Sequence, residues 1–349
     1  MPRQDPIGVY TQMDFTTRNR YRQAIEWLAP DTGQDEERVA LAAVSLAQQA
    51  ADHSDDPQDR TGHVGFYLMD EGRQQLDAEI DYRPSWKDRL WHLKQSYPTA
   101  IYLSSIILLT LLVMLALLRY TTQNAGTPLK TIVLLVLALV PASSLAVNFV
   151  NWLINRIVPP SILPKMDFSE DIPPDCHTLL VIPALLSNVE EINSLGQQLE
   201  LHFLRNNDPQ LSFALLLDFL DAPQQHMPDD DHLLTHARNC IQALNTRYET
   251  AERQPFYFFL RERRWNPSEN TWMRWERKRG KLMELNRLIL NPAAETTYLI
   301  QDGNLRIMPL IRYVITLDAD TILPKGGAAR RLATLAHPLN RAQFDESNN

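Results

Sequence analysis

Apolar positions follow three different spacings along this chain, and each spacing predicts a different kind of element. In the first hundred residues they recur every three or four places. Thr16 to Leu28 and Glu36 to Ala51, the latter with Val39, Ala42, Ala43 and Leu46 on one face, predict amphipathic helices. His63 to Asp81 has a weaker pattern that fixes no element. Two charge-free runs follow. The first, 19 residues from Ala100 to Leu118, would span about 29 Å as a helix, against a bilayer core of about 30 Å. The second, 24 residues from Thr131 to Ile154, carries Pro141, Ser143 and Ser144 at its middle, where neighbouring helices can absorb a kink.

Beyond Pro159 and Pro160 the pattern shortens to branched and aromatic runs of strand length. His177 to Ile182, Leu211 to Leu217, Phe256 to Leu260 and Tyr313 to Leu317 predict strands, with helices over Asp231 to Ala251 and Lys281 to Leu290 between them. Ser187 followed three places later by Glu190 predicts a capping box at the start of a further helix. Alternating strands and helices imply an α/β fold with a nucleotide-binding sheet. The expected organisation is therefore a helical segment over residues 1–99, a transmembrane hairpin over 100–154 (spans 100–118 and 131–154), and an α/β domain over 164–349. Only 12 residues, Arg119 to Lys130, separate the spans, so both flanking segments should face the same side of the membrane. Trp86, Trp91, Tyr97 and Trp152 stand near the span ends, where amphipathic rings favour the interface. Lys87, Arg89, Lys94, Arg156 and Lys165 flank the pair, against Arg119 and Lys130 in the loop, a slight bias toward cytosolic flanks.

Charge and cysteine usage narrow the classes further. With 34 Lys and Arg against 42 Asp and Glu, the net charge is -8, which argues against a general nucleic-acid binder. Cys176 and Cys240 stand far apart with no CxxC or Cys/His cluster, so neither a disulfide framework nor a zinc site is expected. The N-terminal residues lack the apolar core of a secretory signal.

Candidate chemistry concentrates at the ends of the predicted strands. Tyr313 to Thr321 reads YVITLDADT, a buried-type strand closed by Asp318 and Asp320, which one intervening residue sets on the same side. In an open α/β sheet ligands gather beyond the carboxyl ends of the strands, and hard carboxylate oxygens there suit Mg2+ or Mn2+. Such an ion would neutralise a diphosphate leaving group. Asp-x-Asp alone equally describes surface acids at a strand end. A second strand ends in Asp218 and Asp221, either of which can accept a hydrogen bond from a base N–H or a ribose hydroxyl; a turn acid before Pro223 reads the same way. Glu276 to Asn286 brings a basic loop through Gly280 and Lys281 into a helix, where phosphate is attracted, although a solvated basic face has the same composition. Trp265, Trp272 and Trp275 lie just upstream, as core packing or as part of an acceptor-sugar platform.

The order of these features resembles the nucleotide-binding half of family 2-type glycosyltransferases with a GT-A fold. Arg274 to Leu282 (RWERKRGKL), Tyr313 to Thr321 and Ala336 to Asn340 (AHPLN) look like cyclic β-1,2-glucan synthases, as do Val9-Tyr10, Met13 to Phe15, Thr17 to Tyr21 and His63 to Tyr67. The resemblance implies transfer of glucose from UDP-glucose into a growing β-1,2-glucan acceptor. It assigns Asp318 and Asp320 to metal and diphosphate, Asp218 or Asp221 to the nucleoside and Lys281 to the phosphates. Because activated sugars are held in the cytosol, it also implies a cytosolic nucleotide domain on a bacterial inner membrane. That family carries a later catalytic base, an acceptor motif, more membrane helices and a phosphorylase-like region, so the expectation is a fragment, with the remaining parts of the synthase as partners. The alternative is a membrane scaffold or remnant without a catalytic base. A haloacid dehalogenase-like phosphatase also uses Asp-x-Asp, but Ile322 stands where that motif wants Thr or Val and the motif nearly closes this chain instead of opening a domain.

Overall fold

The computed structural model describes residues 4–343 apart from 55, 57–58, 83–96, 125–126, 159, 161 and 251–252. Trp86, Trp91, Lys87, Arg89 and Lys94 lie outside the described residues. The chain divides into two compact units. One comprises Met1–Pro6, Arg20–Pro57 and Val64–Leu163, the other Ile7–Asn19, Gln58–His63 and Pro164–Asn349.

The helices of the N-terminal part are α1 (Val9–Gln12), α2 (Phe15–Thr32), α3 (Glu36–His53), α4 (Val64–Met69) and α5 (Arg73–Glu79). The last two settle the region whose pattern fixed no element. In the first unit Tyr21, Leu28, Val39, Ala43, Leu68 and Leu76 are buried; of the face marked by helical spacing in α3, Val39 and Ala43 are buried and Ala42 and Leu46 half-buried. Asp5 accepts the Val64 main-chain N–H at 2.9 Å, a partner for one of the free donors at the start of α4. In the same unit α6 (Pro98–Gln123) and α7 (Pro128–Ile157) are long and apolar enough to cross a membrane. Both exceed the charge-free runs, because the polar residues at each end continue the helix and leave a shorter connection than Arg119 to Lys130. Each begins with proline at its first position, whose missing N–H costs nothing there. Tyr102 donates to Asn151 at 3.0 Å and joins the two helices side by side.

The second unit is built on a five-stranded sheet. Its strands are β1 (Thr178–Leu186), β2 (Leu211–Phe219), β3 (Phe256–Arg261), β6 (Tyr298–Asp302) and β7 (Tyr313–Thr316), in the order β6-β3-β2-β1-β7. β1, β2, β3 and β7 run parallel and β6 closes the edge antiparallel. β4 (Arg264–Asn266) and β5 (Thr271–Met273) form a separate hairpin. Every residue of β2 and β3 is buried, which explains their unbroken apolar sequence: helices cover both faces, so no alternation is needed. The helices are α8 (Val189–Arg205), α9 (Asp230–Tyr248), α10 (Arg277–Leu290) and α11 (Gly327–Leu335). One face packs Leu180, Ile182, Phe213, Leu215 and Phe258 against α8 and α9; the other packs Leu179, Val181, Leu216 and Phe259 against α10. The cap of α8 differs from expectation. Asn188, not Ser187, takes the capping position and accepts the Glu191 N–H at 2.8 Å, while the Ser187 hydroxyl donates to the Glu191 carboxylate. Asn and Ser cap about equally well, so the one-residue shift follows β1 running on to Leu186.

The same unit takes in part of the N-terminal sequence. Met13 bridges Met166, the Asp167 N–H donates to the Gln12 carbonyl at 2.7 Å, and Lys165 donates its N–H to the Thr17 hydroxyl at 3.0 Å. His337 is fully buried between the Met13 sulfur and the ring of His63, a structural environment.

Candidate functional site

Strand order fixes where a ligand can sit. From β1 the chain winds outward through β2 to β3, and β7 returns on the other flank of β1, so the order reverses between β1 and β7. Loops leaving the two strands at such a point diverge and open a crevice at the carboxyl end. Asp318 and Asp320 lie in the loop that leaves β7, and both are exposed. Thr321 donates its N–H to the Asp318 carbonyl at 2.9 Å, closing the loop into a turn. Burial pulls the nearby His202 imidazole below its ordinary pKa, Arg205 adds to this, and the Thr321 backbone opposes it.

The second pair of acids is split by burial. Asp218 is the eighth residue of β2, paired in register with Arg261 of β3, and it is 1% exposed. Arg261 donates to it through Nε at 2.7 Å and Nη2 at 2.9 Å, and the Lys281 ammonium lies 3.0 Å away. Lys281 also donates to the Ala184 carbonyl at 2.7 Å, and its own carbonyl accepts from the Tyr298 hydroxyl at 2.6 Å. Burial pulls the Lys281 ammonium below the usual lysine range, against the hold of Asp218. Thus Asp218 and Lys281 meet each other beneath the crevice, with β1, β2, β3 and α10 tied at one point.

Three further residues extend this floor. Arg261 reaches Glu284 at 3.2 Å, and Glu284 takes the Thr297 hydroxyl at 2.6 Å and the Thr297 N–H at 3.0 Å. Burial raises the Glu284 carboxyl, but the Thr297 donors and Arg261 outweigh it and leave the group below its ordinary value. Arg274 lies 3.9 Å from Glu284, and its buried Nε and Nη2 have no hydrogen-bond partner among the described residues. Its pKa is pushed down to about 10 by burial and by Arg261. Gly280 permits the tight entry of α10: a Cβ there would collide with the Trp275 carbonyl oxygen.

The exposed charges lie above this floor. Asp221 pairs with Arg277 and Asp318 with Lys278, two consecutive cations in the first turn of α10. The basic loop therefore reaches both strand ends. The hairpin β4-β5 joins it through Ala222, whose N–H donates to the Trp272 carbonyl at 2.9 Å. Trp265 and Trp272 pack edge to face at 5.8 Å, and Trp265 and Trp275 remain exposed. Of the five expected residues, the structure gathers Asp218 with Lys281 in the interior and leaves Asp221, Asp318 and Asp320 at the surface. Arg261, Arg277, Lys278 and Glu284 complete the arrangement without having been singled out from sequence. One signal was available: β2 reads LLLD and β3 reads FFLR, and opposite charges ending adjacent apolar runs predict a buried pair.

The crevice has the donor set of a weak hard-cation site. Two exposed carboxylates stand one residue apart, and no group of three or more His, Cys, Asp or Glu that could hold a metal occurs among the described residues. Mg2+ characteristically takes one or two protein carboxylates and completes its shell with water and substrate phosphates, so the residues fit an ion that arrives with a phosphorylated ligand.

No family model matches the chain. The chain is 34% identical over 334 residues to the cyclic beta-(1,2)-glucan synthase NdvB of Rhizobium meliloti (strain 1021), an alignment that covers 95% of this chain and 12% of that protein. Along nearly its whole length, the chain is similar to one segment of a cyclic β-(1,2)-glucan synthase.

Proposed function

We propose that the chain carries the donor-binding part of a membrane glucosyltransferase, with a GT-A fold that takes UDP-glucose and a divalent cation into the crevice between β1 and β7 and serves a growing β-1,2-glucan. The observation that carries this reading is the position of Asp318 and Asp320 in the loop leaving β7, beside the point where strand order reverses. The similarity to the glucan synthase supplies the substrate class.

Asp318 and Asp320 would hold Mg2+ or Mn2+, which when bound neutralises diphosphate charge as the sugar departs. Asp221, at the surface, accepts a hydrogen bond from the nucleoside. Asp218 does not reach the ligand directly; it holds Arg261 and Lys281 and so keeps the crevice floor rigid. Arg277 and Lys278, rather than the buried Lys281, are the cations free to turn from Asp221 and Asp318 to incoming phosphates. α6 and α7 cross the bacterial inner membrane with both ends cytosolic, where nucleotide sugars are made.

Photolabelling of the full chain in membranes with an azido-uridine analogue of UDP-glucose tests this reading. Labelling should need Mg2+ or Mn2+, yield to UDP but not ADP, and fall at least tenfold in Asp320→Asn. Equal competition by ADP, or labelling indifferent to chelator, would remove it.

A further inference from the structure

Several cations of the α/β unit are matched to acids, among them Arg238 to Asp302, Arg247 to Glu200, Arg261 to Asp218 and Arg263 to Asp230. Lys165, Arg330 and Arg331 are not. They line a cavity of about 580 Å3 together with Pro324, Thr334 and Leu335, with no acid among the described residues of its lining. No carboxylate among the described residues forms an ion pair with any of the three. Arg330 donates to the carbonyls of Lys325 at 2.8 Å and Gly326 at 3.3 Å, and Arg331 to Gly327 at 3.1 Å. These contacts hold both guanidinium groups at the start of α11 and, among the described residues, leave their other N–H groups uncommitted. An adjoining cavity shares Lys165 and Arg330 and holds four acids, Asp14, Asp167, Glu170 and Asp208, of which Asp14, Asp167 and Asp208 each accept from a nearby main-chain N–H; Arg205 and Lys325 line it too. In a chain of net charge -8 this is a local cationic exception.

Its place along the chain indicates what it meets. α7 ends at Ile157 and Lys165 follows eight residues later, so an extended chain of about 3.3–3.6 Å per residue keeps Lys165 within roughly 30 Å of that helix end. The cavity wall is fixed at the same point: Met166 donates its N–H to the Ala333 carbonyl at 2.8 Å, and Asn340 donates to the Pro164 carbonyl at 2.8 Å. Leu335, 47% exposed, adds an apolar surface to the rim. Phosphate oxygens beside glycerol and acyl carbons match this combination. We propose that the cavity formed by Lys165, Arg330 and Arg331 binds the headgroup of an anionic phospholipid and holds the α/β unit to the membrane surface. The proposal rests on α7 crossing the bilayer and is independent of the nucleotide crevice.

Basic residues near an anionic leaflet each strengthen attachment by on the order of fivefold. The full chain is placed in nanodiscs of phosphatidylcholine, with or without one third phosphatidylglycerol, and amide exchange is followed over α11. Phosphatidylglycerol should slow exchange there severalfold, and the effect should vanish in the combined variant Lys165→Gln, Arg330→Gln, Arg331→Gln. The single variant Arg331→Gln, at an exposed position, should lose part of it; unchanged exchange in β2 certifies folding. Equal exchange in the two lipids for the wild type, or a lipid effect that survives all three substitutions, would overturn the proposal. So would inorganic phosphate giving the same protection in phosphatidylcholine discs, because the cavity would then serve a soluble anion.

Discussion

Asp218 is the residue on which most of the crevice floor depends. Its carboxylate is the nearest counter-charge for both Arg261 and Lys281, so Asp218→Asn leaves two buried cations undercompensated. Removing one partner from a buried ionic set costs about 3–5 kcal/mol. Thermal or denaturant unfolding of the detergent-solubilised chain should register a loss of that size. Arg274→Met is expected to behave in the opposite way, with an unchanged or raised midpoint, because it removes a buried cation with two orphan N–H groups. A fall as large as that of Asp218→Asn would show that Arg274 is better compensated than its contacts imply. Glu284 adds a dependence on acidity. Its folded pKa lies below the ordinary value, so its stabilising contribution is complete above the ordinary value of 4.5 and is lost as pH falls through the lower folded value. Glu284→Gln should flatten the acid limb of stability against pH; an unaltered limb would assign that dependence to other acids. At this scale the sequence identified Asp218 and Lys281 as charged residues of interest but assigned both outward. Burial of an Asp at a strand end depends on what ends the neighbouring strand, and only the register of β2 with β3 brings Arg261 opposite it.

At the scale of elements, legibility followed the strength of the local pattern. β1, β2, β3 and β7 are long apolar runs or end in recognisable acids, and all four were visible. β6 and the hairpin β4-β5 were not. Tyr298 to Asp302 is a short antiparallel edge strand, and Arg264 to Asn266 and Thr271 to Met273 are three-residue strands whose pairing comes from Trp265 against Trp272 and from the Ala222 bridge. Contacts distant in sequence make these elements, so no local period announces them. The helices α6 and α7 were legible because a charge-free run of that length has few alternatives. Their polar ends were missed, since Arg119 to Gln123 and Pro128 to Lys130 continue helices without adding apolar signal. If these two helices form a hairpin with cytosolic ends, a reporter active only in the cytosol should work when fused after Lys165, and a periplasmic reporter fused there should be silent. The reverse pattern would invert the orientation assigned to the α/β unit.

For the whole molecule, the proposed function places the ligand in the crevice between β1 and β7, where strand order reverses and exposed acids follow β7. Its two carboxylates are few for a free ion, and Lys278 already neutralises Asp318. Cation and nucleotide should consequently bind far better together than apart. Asp320→Asn should weaken nucleotide binding more than Asp221→Asn, because a lost ion ligand costs about 10- to 100-fold, by analogy with the effect of altered metal surroundings, whereas one hydrogen bond is worth about 0.5–1.5 kcal/mol. The most direct measurement is calorimetric titration of the detergent-solubilised full chain with UDP-glucose, with Mn2+ and then with chelator, for the wild type, Asp320→Asn and Asp221→Asn. Binding should need the ion, be nearly abolished in Asp320→Asn and be reduced only modestly in Asp221→Asn. UDP-glucose binding that is unchanged by chelator, or equally strong in Asp320→Asn, would contradict it.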